Sequence, residues 1–170
     1  KLSQLRDISS TLRHLNERHV MDDVELFEIK HFALISNAVR EITEEMRLTR
    51  FQIPDLLQVI DILDPEQKRI PHFYIYDQYS TELAELREKI NQATLSDKET
   101  LLFEAEKLEN NIRKEISEKL RPHAQAMQQV LSELARLDVE LAKAEQAATL
   151  SLSKPQFSSK NTDIKEMFHP

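Results

Sequence analysis

Residues 96–149, SDKETLLFEAEKLENNIRKEISEKLRPHAQAMQQVLSELARLDVELAKAEQAAT, form the longest periodic stretch of the chain, and their spacing decides the fold. Apolar residues recur at Leu101, Ala105, Leu108, Ile112, Ile116 and Leu120, then at Ala124, Met127, Leu131, Leu134, Leu141, Ala144 and Ala148. Steps of three and four lay these side chains along one stripe of an α-helix. Ser96-Asp97-Lys98-Glu99 reads as a capping box at its start. At about 1.5 Å per residue such a helix spans on the order of 75 Å, longer than an ordinary small domain, and predicts a projecting strut. Pro122 interrupts it, lacking the amide proton and crowding the carbonyl four residues back, which costs roughly 3 kcal/mol. The expected outcome is a bend near 120–123 with helix on both sides; the alternative is two helices meeting at a hinge.

Working outward, composition sets the class. Apolar residues make up 40% and charged residues 31%, with no Trp, a balance that suits helices with a narrow apolar seam. Glycine is absent. A phosphate-cradling loop needs glycine for positive φ and close backbone approach, so neither a Walker loop nor a Rossmann fingerprint occurs in this sequence. The absence of cysteine removes disulfides, thiolate zinc sites and cysteine nucleophiles together, and fits a cytoplasmic protein. No apolar run approaches the length of a membrane span, so no membrane partner is expected. A formal charge of −7 argues against a grip on nucleic acid by this chain alone, because phosphate affinity comes from Lys and Arg.

Before the long stretch, Lys1 to Arg18 reads as a helix with Leu5, Ile8, Leu12 and Leu15 inward. Asp22 or Asp23 caps a second helix reaching about Leu48, whose apolar residues (Val24, Phe27, Leu34 and Ala38 with Leu26, Ile29 and Ala33) cover more than one face. A helix apolar on two sides sits between others. Pro54 starts a short helix, 55–63, stopped at Asp64-Pro65. Residues 70–76 (IPHFYIY) are the one good strand candidate, although a single strand makes no sheet and the segment has the alternative of running extended over the helices. Tyr79-Ser80 caps a helix with Leu83, Leu86 and Ile90 inward, ending near Ala93 and packing antiparallel to the long one. After Thr149 the periodicity stops. Ser151, Ser153, Pro155, Ser158 and Ser159 read as a linker, and the end at His169-Pro170 suggests a piece of something larger. The predicted fold is all-α: an elongated helical bundle with one long, Pro-kinked helix and at most one short strand. Its domain spans 1–149 with a hairpin tip near 92–97, and 150–170 is linker and the start of a further domain, which the resemblance given below implies is an ATPase.

Candidate chemistry is sparse. Glu28 and His31 form a Glu-x-x-His pair, as in helical di-iron sites, but such sites need a second pair and further carboxylates from other helices. A solvated pair or an interhelix contact is the simpler reading, and no metal is expected. His14 and His19, five apart, diverge around a helix. Asp22, Asp23 and Glu25 are acids where a helix's first turn favours them. Phe73, Tyr74, Tyr76 and Tyr79 suggest base stacking, yet without interleaved Lys or Arg they read first as buried anchors. Between Glu82 and Arg121, eight basic residues mix with ten acidic ones, which predicts salt-bridge rungs along paired helices. No nucleophile–base pair is evident, so no catalytic or cofactor-binding residue is assigned.

Several segments nevertheless resemble a known family. Met21-Asp22-Asp23-Val24-Glu25-Leu26-Phe27-Glu28-Ile29-Lys30 resembles the lever-domain helix of the MutS DNA mismatch-repair family. Leu63-Asp64-Pro65, Phe73-Tyr74-Ile75-Tyr76-Asp77 and Tyr79-Ser80-Thr81-Glu82-Leu83 look like the segment leading into that family's clamp. Leu134-Ala135-Arg136-Leu137-Asp138, Lys154-Pro155 and Ile164-Lys165-Glu166 before His169-Pro170 look like its return. The resemblance covers nearly the whole chain. It implies a lever domain, not catalytic by itself, that couples an ATPase domain lying beyond this chain to DNA. The parent would use ATP and Mg, bind DNA and form a homodimer. Phe168 departs from the Arg the family usually has before His-Pro. About four residues, Gln92 to Leu95, stand where the family inserts its DNA-contacting clamp, so no DNA-contact residue carries over. In this reading Leu120, Met127, Leu131, Leu134 and Leu141 carry the lever seam and Pro122 sets the bend. The rival expectations are a generic helical scaffold or partner-binding coiled coil and, more remotely, a helical metalloenzyme resting on Glu28 and His31.

Overall fold

A computed structural model describes residues 2–152, except the side chains of Leu95 and Ser96. These residues are all-α, with no strand among them: α1 is Ser9–Asn16, α2 Asp23–Glu45, α3 Leu57–Leu63, α4 Thr81–Gln92, α5 Leu95–Leu120 and α6 Ala124–Thr149. The expectations placed on the linker and family-like segments within 153–170 lie outside the described residues. Contacts divide the chain into two units, Lys1–Leu134 and Ala135–Pro170.

Local chemistry explains most helix boundaries. Asp22 caps α2 with a reciprocal box: its carboxylate accepts from the Glu25 amide at 2.8 Å, and Glu25 accepts from the Asp22 amide at 3.1 Å. The Ser80 hydroxyl accepts from the Leu83 amide and opens α4. Asp55 accepts from the Leu57 amide, and Asn37 of α2 accepts from the Leu56 amide, so α3 starts two residues later than Pro54 suggested. The long helix departs from its predicted capping box. Thr94, not Ser96, is the N-cap of α5, and its hydroxyl donates to Asp97 at 2.9 Å.

Without glycine, the chain ends helices on ordinary residues forced to positive φ. Arg18 (φ 65°) follows α1 and Arg47 (φ 56°) follows α2. In both, an amide reaches back five residues, His19 to His14 and Leu48 to Thr43, closing a Schellman turn. A Cβ in this region costs about 1–2 kcal/mol. Arg47 is exposed. Arg47→Gly is therefore expected to stabilise the domain by roughly 1 kcal/mol, read as a raised urea midpoint; an unchanged or lowered midpoint contradicts this.

In the first unit, α2 packs on α1 and α3, and α5 on α3 and α4. Leu12, Leu15, Leu26, Ile29, Val59 and Leu63 are fully buried. The broad apolar surface predicted for α2 is only partly used: Leu26, Ile29 and Ala33 are buried, Phe27, Leu34 and Ala38 are half-buried, and Val24 is exposed, while Phe32, Ile35 and Val39, outside the predicted set, are buried. Residues 70–76 form no strand: the chain bends at Pro71, where the His72 amide donates to the Ile70 carbonyl at 2.8 Å, and Phe73, Ile75 and Tyr76 are buried. No second strand pairs with them among the described residues, so burial of their side chains holds the segment.

Only Ala93 and Thr94 separate α4 from α5. At Pro122 the backbone tightens to a 3-10 turn over Arg121–His123. Leu120, Arg121 and Ala124 keep right-handed helical angles. Pro122 sits in the first turn, where a missing amide proton costs least, so helix continues on both sides. The second unit continues the helix to Thr149. Ser151 (φ 52°) ends it, with the Leu152 amide reaching back to Ala147. Among the described residues no helix is long and apolar enough to cross a membrane.

Candidate functional site

The polar chemistry of the first unit gathers at two joints, both on α2. The inner joint is built on Lys30, which breaks the apolar face of α2 and is fully buried. Its ammonium donates to Asp64 Oδ1 at 3.1 Å, the His72 carbonyl at 2.8 Å and Tyr76 Oη at 2.9 Å. All three donors of the ammonium are thus used. Tyr76 in turn donates to the His72 carbonyl at 3.1 Å, and its ring lies 5.2 Å from the ammonium. The second carboxylate oxygen of Asp64 accepts from the Arg69 amide at 2.6 Å. That bond, with the Arg69–Asp61 ion pair, fixes a loop whose Gln67 and Arg69 both take positive φ.

Burial alone would push the Asp64 carboxyl up, but the Arg69 amide and the Lys30 ammonium outweigh it and hold the group below its ordinary 3.8. The folded state therefore binds that proton less readily than the unfolded chain does. The contribution is present above about pH 4 and is lost as pH falls through the folded value. Urea midpoints taken from about pH 6 to about pH 2 should fall more steeply for the wild type than for a Lys30→Met, Asp64→Leu double variant. Parallel profiles would remove Asp64 from the account.

The outer joint lies where α1 turns into α2. Met21 is fully buried, and its amide donates to Ser117 Oγ of α5 at 2.9 Å. The Ser117 hydroxyl in turn donates to the Arg113 carbonyl at 2.7 Å. Arg113 grips Asp23 with two bonds, 2.8 and 3.0 Å, while Arg121 reaches the His19 carbonyl at 3.4 Å. Residues 113, 117 and 121 are one helical turn apart, so α5 carries a polar row beside the apolar row Ile112, Ile116 and Leu120. Glu25 also touches His14 Nδ1 at 2.7 Å, joining α1 to the cap of α2.

The expected seam is only partly realised. Leu120, Met127 and Leu134 are buried, with Ala124 and Val130 completing the row in the first unit. Leu131 is half-buried and Pro122 is exposed. In the second unit Leu137 is buried, and Leu141, assigned to the seam from its spacing, is 49% exposed. His14 and His19 do not diverge as predicted. α1 ends at Asn16, the positive φ of Arg18 turns the chain back, and the rings approach to 5.3 Å. Glu28 accepts from the Thr11 hydroxyl at 2.7 Å while His31 stacks on Phe27 at 5.7 Å, so each member of the Glu-x-x-His pair has a partner of its own. Among the described residues no three His, Cys, Asp or Glu converge as metal ligands. Tyr76 and Phe73 are buried and Tyr79 donates to the Ile62 carbonyl at 2.8 Å, which leaves Tyr74 as the exposed ring of the cluster.

Sequence reasoning missed Lys30, Arg113 and Ser117. Lys30 had a usable signal, a lone cation flanked by Ile29 and Ala33. The spacing of Arg113, Ser117 and Arg121, one position after each apolar residue of the seam, was the other. Chemically, both joints hold segments together: the Lys30 ammonium has all three donors matched, and Arg113 and Ser117 tie the start of α2 to α5. Comparison with protein-family models, curated proteins and solved structures finds no match to this chain. What stands on the fold and the joints is a class, an all-α helical bundle.

Proposed function

We propose that this chain is the lever (core) domain of a MutS-like DNA mismatch-repair ATPase, mechanically coupling that protein's ATPase domain to DNA and not catalytic by itself. One observation carries the reading. The resembling segments, far apart in sequence, meet: Lys30 of the first bonds to Asp64 and Tyr76 of the second. A chance set of short matches would not need its members to be one another's partners. Interdigitated helices held at polar joints favour discrete arrangements over continuous bending, which is what a relay requires.

In this reading the parent is a cytoplasmic homodimer that uses ATP and Mg in its own ATPase domain. DNA is reached through the parent, since Ala93-Thr94 leaves no room for a clamp at the α4–α5 turn. The complete reading frame tests the proposal. A glycine-rich phosphate-binding loop several tens of codons beyond Pro170 is the expected result; a stop or an unrelated domain there rejects it. The second reading, a helical scaffold for a partner protein, is favoured by the exposed neighbours Leu102 and Phe103 on α5. The same reading frame separates the two.

A further inference from the structure

We infer that a ladder of alternating charges, Asp77–Arg87–Glu109–Arg113–Asp23, couples the α4–α5 hairpin energetically to the first turn of α2. Arg87 of α4 pairs with Asp77 and, at 2.8 Å, with Glu109 of α5. Glu109 also faces Arg113 one turn along at 3.6 Å, and Arg113 closes on Asp23 at 2.8 and 3.0 Å. Both arginines are anchored further: Arg87 donates to the Ile75 carbonyl at 2.8 Å and Arg113 to Asn110 at 2.9 Å. Isolated surface pairs contribute little, because water and salt screen them and long side chains lose entropy. This ladder differs in its middle. The side chains of Arg113, Glu109 and Arg87 are 17%, 26% and 30% exposed, against 47% and 60% for the terminal Asp23 and Asp77. Glu109 serves two guanidinium groups at once, so a shift of either arginine alters the field at the other. Four parts of the fold thereby share one electrostatic state: the 3-10 turn at Asp77–Tyr79, α4, α5 and α2. That this tie serves a relay rests on the lever reading; the coupling itself does not.

The test is a double-mutant cycle in the isolated chain, measured by urea unfolding. Asp23→Asn and Asp77→Asn alter the two ends, each of which contacts a different arginine. The expected result is non-additivity, with the double variant's unfolding constant departing about two- to fivefold from the product of the single effects. Repeating the cycle in the Glu109→Gln background, or in about 1 M salt, should abolish the departure. Additive ends in the wild-type background overturn the inference, and so does coupling that persists through Glu109→Gln. Failure of the cycle leaves the lever reading standing, whereas a reading frame without a phosphate loop removes that reading and leaves the ladder.

Discussion

Asp64→Leu is expected to destabilise the domain by about 3–5 kcal/mol, one of the two largest effects anticipated for any single substitution here. The cost does not come from losing the attraction of Lys30 for Asp64. It comes from leaving the Lys30 ammonium, fully buried, without its counter-charge. The Arg69 amide loses its acceptor as well, which loosens the loop that holds Gln67 and Arg69 at positive φ. Adding Lys30→Met should recover most of the loss, because two apolar side chains of similar bulk need neither partner nor water. Circular dichroism with urea titration of the two single variants and the double variant decides the matter. Equal stability of Asp64→Leu and the double variant would show that the ammonium is not the source of the cost.

Met127→Asp is expected to cost several kcal/mol by a different route. Met127 is completely covered in the α6 seam, so an aspartate there loses its hydration and is driven towards its protonated form. Leu134→Asp should behave alike, with Leu134 3% exposed. Leu141→Asp serves as the control on the same helix and should stay within about 0.5 kcal/mol of wild type. Melting temperatures for the three variants test the assignment. A large fall for Leu141→Asp, or none for Met127→Asp, would mean that the covered face of α6 has been misidentified.

Those contrasts mark what periodicity conveys and what it does not. Steps of three and four gave the phase of the long helix and hence Leu120, Met127 and Leu134. They did not determine where along the helix the cover ends, so Leu141 was drawn into a seam it does not serve. Caps were legible because their chemistry is local: Asp22 with Glu25, and Ser80, need only neighbouring amides. Ser96 failed because the helix starts two residues earlier: Thr94 is the extended N-cap residue, and its hydroxyl donates to Asp97 instead of accepting an amide. Residues 70–76 have the composition of a strand, and composition carries no information about a partner strand. The inner joint was least legible: Lys30 lies 34 residues from Asp64 and 46 from Tyr76, separations at which only the folded chain brings groups together.

In the proposed lever role this chain relays work done elsewhere. ATP hydrolysis by the product of the complete reading frame, with and without duplex DNA and beside the isolated 1–170 chain, tests it most directly. The lever role predicts turnover by the whole protein that DNA alters and none by the isolated chain; turnover by the isolated chain, or none by the whole protein, contradicts it.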